Sequence, residues 1–252
     1  MYFDSHAHLN DPAFDPDRDE VVEKIQAAKV TGMLNIGCCH ESSLDCIALA
    51  ETYDWVWAAI GTHPDTADEV DESLIEVYRE MCRHPRVKAI GEIGLDYHYE
   101  TIPREVQKKA FRLQMELAKE LDMPVVVHER EAHGDAMEIL YDFPTVRGVF
   151  HCYSGSLEMA KELIKRGWYV GFTGVVTFKN ARKAVEVAKW VPMERMLIET
   201  DCPFMAPEPH RGTRNDPSYV PLVAAKIAEL RGIPVEEVAA ATMENTKRLF
   251  HI

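Results

Sequence analysis

The feature that most constrains the fold is the alternation of short apolar segments with amphipathic helical segments along the whole chain. Eight segments rich in β-branched and aromatic residues predict strands, at about 2–9, 33–37, 56–61, 87–94, 124–128, 149–155, 168–174 and 196–203. Apolar residues recur at helical spacing between them, and Gly32 is expected to end the first helix. Strands that alternate with helices pair in parallel. The pattern therefore predicts an α/β fold.

At 252 residues, about eight strand and helix repeats fit a (β/α)8 TIM barrel most economically. We expect a single domain over residues 1–252, because no low-complexity tract or long Pro/Gly/Ser linker marks a boundary. A doubly wound open sheet is the alternative. No glycine-rich nucleotide fingerprint follows the first strand to favour it.

Charge and composition limit the classes of function. Lys plus Arg number 28 and Asp plus Glu number 42, so the net charge is 28 − 42 = −14. This is the wrong sign for a protein that coats nucleic acid by counterion release, so any attraction to a phosphate backbone must be local. Six cysteines without CxxC pairing indicate reduced thiols. With no leader or membrane-length apolar run, we expect a cytoplasmic protein with no membrane association, and we infer no obligate protein partner.

Histidines and carboxylates mark the predicted strand ends. On the first strand, Asp4, His6 and His8 share one face. A His-X-His pair is weak evidence alone, but further candidates fall at or near the C-terminal ends of later strands; the full set is His6, His8, Glu92, His128, His151 and Asp201. Strand ends of a barrel converge on one mouth, and buried polar groups need partners, which metal ions supply. The pattern predicts a metal site.

Six ligands are too many for one tetrahedral ion. We expect two divalent ions that share Glu92 as a bridging carboxylate, with His6, His8 and Asp201 on one ion and His128 and His151 on the other. Two ions about 3.5–4 Å apart form the arrangement that hydrolyses phosphate esters. Mixed nitrogen and oxygen ligation suits Zn, Mn or Co, and a carboxylate-rich side could take Mg.

Several motifs together resemble the TatD family of metal-dependent deoxyribonucleases. They are Asp4-Ser-His-Ala-His8, Gly61-Thr-His-Pro64, Gly91-Glu-Ile-Gly-Leu-Asp-Tyr97, His128, His151-Cys-Tyr-Ser-Gly155, Glu199-Thr-Asp-Cys-Pro203 and Arg211-Gly-Thr-Arg-Asn215 with Pro217. The motifs fall in the family's order over the whole chain. The resemblance implies a TIM barrel of the amidohydrolase superfamily that hydrolyses DNA, typically as an exonuclease. It also implies that Glu92 stands where many superfamily relatives carry a metal-bridging carboxylated lysine.

Roles follow as hypotheses. Asp201 is expected to orient or deprotonate the attacking water besides binding metal, and Glu92 joins it as the second catalytic residue. Glu199, two residues before Asp201 on the same face, is expected to contact and orient a histidine ligand without binding the metal itself. His63 either donates to a substrate phosphate or caps the turn before Pro64, and the family resemblance favours the substrate.

The loop beyond strand eight carries Arg211, Arg214 and Asn215, a polar cluster suited to binding a DNA phosphate. An ordinary solvated loop is the alternative. Near the strand ends, three aromatic residues could stack a nucleobase or pack against a helix: Tyr97, Tyr153 and Phe178.

Three functions remain open. The first is a two-metal exonuclease on single-stranded or frayed DNA. The second is a hydrolase of a small amide, lactone or ester on the same scaffold, since fold does not decide between them. The third is a non-enzymatic metal-binding protein, against which the complete ligand set argues.

Overall fold

The predicted alternation of strands and helices is confirmed by the computed structural model, which describes residues 1–99 and 101–252. Over these residues, eight strands form one sheet in the order β1 to β8. Their bounds are β1 Tyr2–Ala7, β2 Val30–Ile36, β3 Val56–Ile60, β4 Val87–Asp96, β5 Val125–Arg130, β6 Gly148–Phe150, β7 Tyr169–Phe172 and β8 Met196–Ile198. Sequential order with helical crossovers is the topology of the predicted (β/α)8 barrel, which is therefore the fold.

Nine α-helices lie in the same described residues. Their bounds are α1 Arg18–Ala27, α2 His40–Thr52, α3 Glu72–Met81, α4 Arg104–Leu121, α5 His133–Asp142, α6 Leu157–Lys165, α7 Arg182–Trp190, α8 Val220–Arg231 and α9 Val235–Phe250. None of these helices combines the length and the apolar composition that a membrane span requires.

The helix ends have local causes. The Asp71 carboxylate accepts hydrogen bonds from the N–H groups of Ser73 and Leu74 at the start of α3, and the Ser156 hydroxyl accepts one from Met159 in α6. Gly232 ends α8 in the left-handed conformation, with φ 65°.

Gly32 does not end the first helix as expected. Helix α1 ends at Ala27, and Gly32 lies inside β2, paired with Phe3 of β1. A Cβ atom at Gly32 would lie 2.3 Å from the Phe3 ring. The glycine therefore makes room for a buried aromatic side chain.

The chain divides into two compact units. The first consists of Met1–Asn35, Cys152–Arg248 and Ile252, and the second of Ile36–His151 and Leu249–His251. In the first unit, the segment after β8 bonds to β1: the Asp201 N–H donates to the His6 carbonyl at 2.9 Å, and the His8 N–H donates to the Cys202 carbonyl at 3.0 Å. In the second unit, β3 to β6 pair in parallel with their neighbours.

Candidate metal centre

The first unit brings three predicted ligands together, and we call His6, His8 and Asp201 the first cluster. The Nε2 atoms of the two histidines are 3.1 Å apart. The Asp201 Oδ1 lies 3.6 Å from the His6 Nε2 and 3.5 Å from the His8 Nε2. All three residues are buried. Two imidazole nitrogens and one carboxylate oxygen facing one another form a donor set for a divalent ion.

Asp4 fixes the backbone on both sides of the first cluster. Its Oδ1 accepts hydrogen bonds from the N–H groups of His6 at 3.2 Å and Thr200 at 3.0 Å, and its Oδ2 accepts one from the Thr200 hydroxyl at 2.5 Å. Burial raises the pKa of Asp4 to about 8 despite these hydrogen bonds. The sequence predicts that Asp4 shares a strand face with the two histidines but indicates no role for it, because its partner Thr200 is 196 residues away.

Glu199 directly follows β8 and is fully buried. Its Oε2 accepts a hydrogen bond from the Ser5 hydroxyl at 3.1 Å, and its Oε1 accepts one from the Cys152 N–H at 2.5 Å. Gly171 leaves room for this carboxylate, since a Cβ atom there would lie 2.5 Å from Oε2. Ser5 and Cys152 each adjoin a predicted histidine ligand in the chain, which is consistent with a supporting role for Glu199.

The second unit groups four site residues, and we call His63, Glu92, His128 and His151 the second cluster. The Glu92 Oε1 lies 2.8 Å from the His128 Nδ1 and 2.7 Å from the His151 Nε2. Those two ring nitrogens are 3.3 Å apart. The carboxylate thus faces both predicted histidine ligands at once, and nitrogen and oxygen donors again converge.

Asp96 is a site residue that sequence reasoning missed. Its Oδ2 lies 3.0 Å from the His128 Nε2, and its Oδ1 accepts a hydrogen bond from the His98 N–H at 2.8 Å. The contact orients the imidazole so that Nδ1 faces Glu92. A signal was available, because Asp96 and Glu92 are four residues apart on β4 and even spacing puts side chains on one face of a strand.

The charges of the second cluster favour a cation. Burial would raise the pKa of Asp96, but hydrogen bonds from His128 and the His98 backbone outweigh burial and lower the pKa to about 2. Burial lowers the pKa of His128, and the hydrogen bonds to Asp96 and Glu92 reverse this and raise it to about 10. The His128 imidazole thus lies between two carboxylates, and their negative charge would also attract a divalent ion, which binds the imidazole only once its proton has left.

His63 takes part in two arrangements. It precedes a 3₁₀ segment at Pro64–Glu69, and its Nδ1 accepts a hydrogen bond from the Asp65 N–H at 3.2 Å, so it caps the turn. Its Nε2 lies 3.8 Å from the Glu92 Oε1, and its ring lies 4.4 Å from the ring of His128. His63 therefore lies beside two predicted ligands, Glu92 and His128.

Arg214 and Asn215 are engaged within the protein. The Arg214 guanidinium donates two hydrogen bonds to the Asp17 carboxylate, at 2.9 and 2.6 Å. Asn215 is fully buried, and its amide nitrogen donates to the carbonyls of Thr200 at 2.8 Å and Phe204 at 2.6 Å. The structure thus gives both predicted substrate residues a role in holding their loop.

Arg211 differs from its neighbours. It is exposed, and its guanidinium carbon lies 4.2 Å above the ring centroid of Phe178. Tyr97 and Tyr153 are buried, and their hydroxyls donate to Asp135 and to the Ser156 carbonyl. Of the aromatic residues that could stack a base, these two pack inside the protein.

The donors of each cluster fit a divalent metal ion. Ligand atoms of His6, His8 and Asp201 lie within 4.8 Å of one another, as do those of His63, Glu92 and His128. Imidazole nitrogen with carboxylate oxygen is the donor chemistry of Zn, Mn and Co sites.

Comparison with known proteins gives one consistent family. The family model described as "TatD related DNase" matches residues 3–251. The uncharacterized metal-dependent hydrolase YabD of Bacillus subtilis is 46% identical over the full length of both chains. A Citrobacter koseri protein named 3'-5' ssDNA/RNA exonuclease TatD is 34% identical over 99% of each chain.

A solved structure agrees with these sequence relatives. The crystal structure of YJJV, a TatD homologue from Escherichia coli K12, superposes with a TM-score of 0.94 at 31% identity. The match covers 100% of this chain and 98% of the other.

Proposed function

The chain belongs to the TatD related DNase family, a family of metal-dependent hydrolases, and from this premise we propose that it is an exonuclease that cleaves phosphodiester bonds of single-stranded or frayed DNA. The observation that carries the proposal is the pair of clusters, each with imidazole and carboxylate donors turned towards one another. Relatives named 3'-5' ssDNA/RNA exonuclease support the nucleic-acid substrate.

We assign His6, His8 and Asp201 to one divalent ion and His128 and His151 to another, with Glu92 as the shared carboxylate of the sequence prediction. When bound, such ions lower the pKa of a coordinated water and offset charge on the phosphoryl oxygens. Asp4 and Asp96 hold the ligands in place through the hydrogen bonds described above.

Asp201 is assigned as the proton acceptor for the attacking water. Its Oδ1 faces both histidines of the first cluster, and a carboxylate has a second oxygen with which to orient a water proton. The side chain is 12% exposed, so water reaches it. Glu92, in contrast, lies within 2.8 Å of ring nitrogens of both His128 and His151, which suits a carboxylate that holds metal together with these histidines.

Substrate contacts are assigned to His63 and Arg211. His63 lies beside Glu92, and Arg211 presents a planar guanidinium at the surface. Arg214 and Asn215 act on the substrate indirectly, by fixing the loop that carries Arg211.

The test is digestion of end-labelled single-stranded DNA by protein stripped of metal and then resupplied with Mg, Mn or Zn. We expect stepwise release of mononucleotides that requires metal, and Asp201→Asn is expected to lower the rate by about 10²–10⁴-fold. Asp45→Asn, on the exposed side of α2, is the matched control.

Metal content separates the remaining outcomes. His6→Ala and Glu92→Ala are expected to lose bound metal, measured by elemental analysis, while keeping the circular dichroism of the native fold. Full activity after metal removal would overturn the proposal. Metal-dependent cleavage of small esters or amides without release of nucleotides would assign the chain to the second class of hydrolase, and metal binding without hydrolysis of any of these substrates would assign it to the non-enzymatic class.

A further inference from the structure

We propose that Phe204 is a stacking platform for a nucleobase of the bound strand, and that Arg211 binds a phosphate of the same strand. This inference rests on the proposed function and deepens it, because it names the part of the substrate that is recognised. The platform would take unpaired bases of any sequence, since every base has a flat π face.

The first observation is the exposure of Phe204 beside a predicted metal ligand. The Phe204 N–H donates to the Asp201 carbonyl at 2.9 Å, so both residues belong to one short turn after β8. Phe204 is 57% exposed, and the next residue, Met205, is 41% exposed. A phenyl ring left largely in water contributes little to the stability of the fold. Its exposed surface is available to a flat ligand.

The second observation is that the backbone below this ring is fixed. The buried Asn215 amide donates to the Phe204 carbonyl at 2.6 Å. At Gly174, after β7, a Cβ atom would lie 2.1 Å from the Met205 carbonyl oxygen, so the two loops touch there. The Glu208 N–H also donates to the Thr177 hydroxyl at 2.8 Å. An aromatic ring on a fixed backbone needs little further ordering to bind a flat ligand.

The third observation is the cation on the same pair of loops. Arg211 stacks on Phe178, the residue after Thr177, and this contact sets the plane of the guanidinium. In the described part of the chain Arg211 forms no ion pair, whereas Arg214 is paired with Asp17. Its planar donors are therefore available for a phosphate.

Stacking on Phe204 would allow a negatively charged protein to bind a negatively charged strand. At a net charge of −14, long-range attraction cannot hold a polyanion, and stacking supplies affinity without charge. Bases inside a duplex are covered on both faces, so the platform also selects single strands.

The experiment compares binding of two fluorescent oligomers of equal length, oligothymidylate and its abasic counterpart, in the full-length Asp201→Asn background. We expect Phe204→Ala to weaken binding of oligothymidylate by about 5- to 100-fold and to remove the preference for it over the abasic strand. Phe204→Trp is expected to keep the preference. The matched control is Tyr141→Ala, which removes another exposed aromatic residue, 48% exposed on α5.

Arg211→Ala is expected to weaken both oligomers by the same factor, since both carry phosphates. A base preference that survives Phe204→Ala, or equal loss for both oligomers in this variant, would overturn the platform. Failure of the proposed function is distinguishable, because wild-type protein would then release no nucleotides in the digestion assay, whereas failure of the platform alone leaves metal-dependent digestion in place.

Discussion

Arg211 and Arg214 lie three residues apart on one loop, yet their guanidinium groups have different partners. Arg211 stacks on Phe178, and Arg214 binds Asp17 through two hydrogen bonds. The sequence grouped both as phosphate ligands because the residue type is the same. Asp17, almost two hundred residues earlier in the chain, binds Arg214, and this contact distinguishes Arg214 from Arg211.

The Arg214 contact predicts a pH-dependent effect on stability. The hydrogen bonds and charge of Arg214 lower the pKa of Asp17 below its usual value near 4. A lowered folded-state pKa contributes stability above the unfolded pKa, and that contribution is lost as the pH falls through the folded value. Asp17→Asn is therefore expected to destabilise the protein at pH 7 and to destabilise it less near pH 3, measured by urea unfolding. Equal destabilisation at both pH values would contradict this.

Asp96 provides a second prediction at the scale of a residue. Because it orients the His128 ring, Asp96→Asn is expected to weaken metal binding by about 10- to 100-fold without unfolding the protein. Competition with a coloured chelator measures the affinity. Asp142→Asn, which alters a carboxylate paired with Arg112 at the surface, serves as control. Unchanged metal affinity for Asp96→Asn would remove Asp96 from the site.

At the scale of elements, the strands that carry the site depend on close backbone approaches. Gly94 of β4 has φ 144°, and a Cβ atom there would lie 2.0 Å from the carbonyl oxygen of His128 on β5. The two strands pair at this point, with Gly94 opposite His128. A side chain at Gly94 would move the strand that presents a predicted ligand.

Gly94→Ala is accordingly expected to lower the free energy of unfolding by more than about 1 kcal/mol and to weaken metal binding. Gly134→Ala is the matched control, because a Cβ atom at Gly134 meets nothing within 4 Å and the residue lies in α5. Alanine should be neutral or stabilising there. Chemical denaturation of both variants measures the difference, and similar stabilities would contradict the argument.

Element positions were more predictable than element ends. Apolar runs such as Val125–Val127 have one reasonable interpretation, and β5 begins where the run begins. The predicted end of α1 was wrong. Glycine commonly ends a helix, but Gly32 lies in β2, where its missing side chain makes room for the ring of Phe3 on β1. Short β8 also ends three residues before Asp201, whose position depends on hydrogen bonds to β1.

For the whole molecule, the barrel and the family were predictable because every repeat carries the same local signal. The TatD resemblance is confirmed, and so is the fold. The grouping of the predicted histidines with carboxylates was also predictable, since side chains at the C-terminal ends of parallel strands lie close together. Contacts between distant segments, such as Asn215 with Phe204, were not, because no local pattern encodes them.

The net charge of −14 leads to a prediction about salt. With one or two cationic side chains on the strand, the logarithm of the binding constant should fall with the logarithm of salt concentration with a slope of about −0.7 to −1.4. Titration of a labelled oligomer at several salt concentrations gives this slope. A value near −5 would mean that many more phosphates are neutralised than Arg211 and its neighbours allow.

The bonds between Asp4 and Thr200 join segments 196 residues apart, and this has a consequence for the order of assembly on the ribosome. Every member of the second cluster has been synthesised by residue 151, whereas the first cluster lacks Asp201 until four-fifths of the chain has emerged. His6 and His8 are thus synthesised before the other predicted ligands, but the first cluster is the last to be completed. During this interval the two imidazoles near the beginning of the growing chain lack the Asp201 carboxylate that completes their donor set.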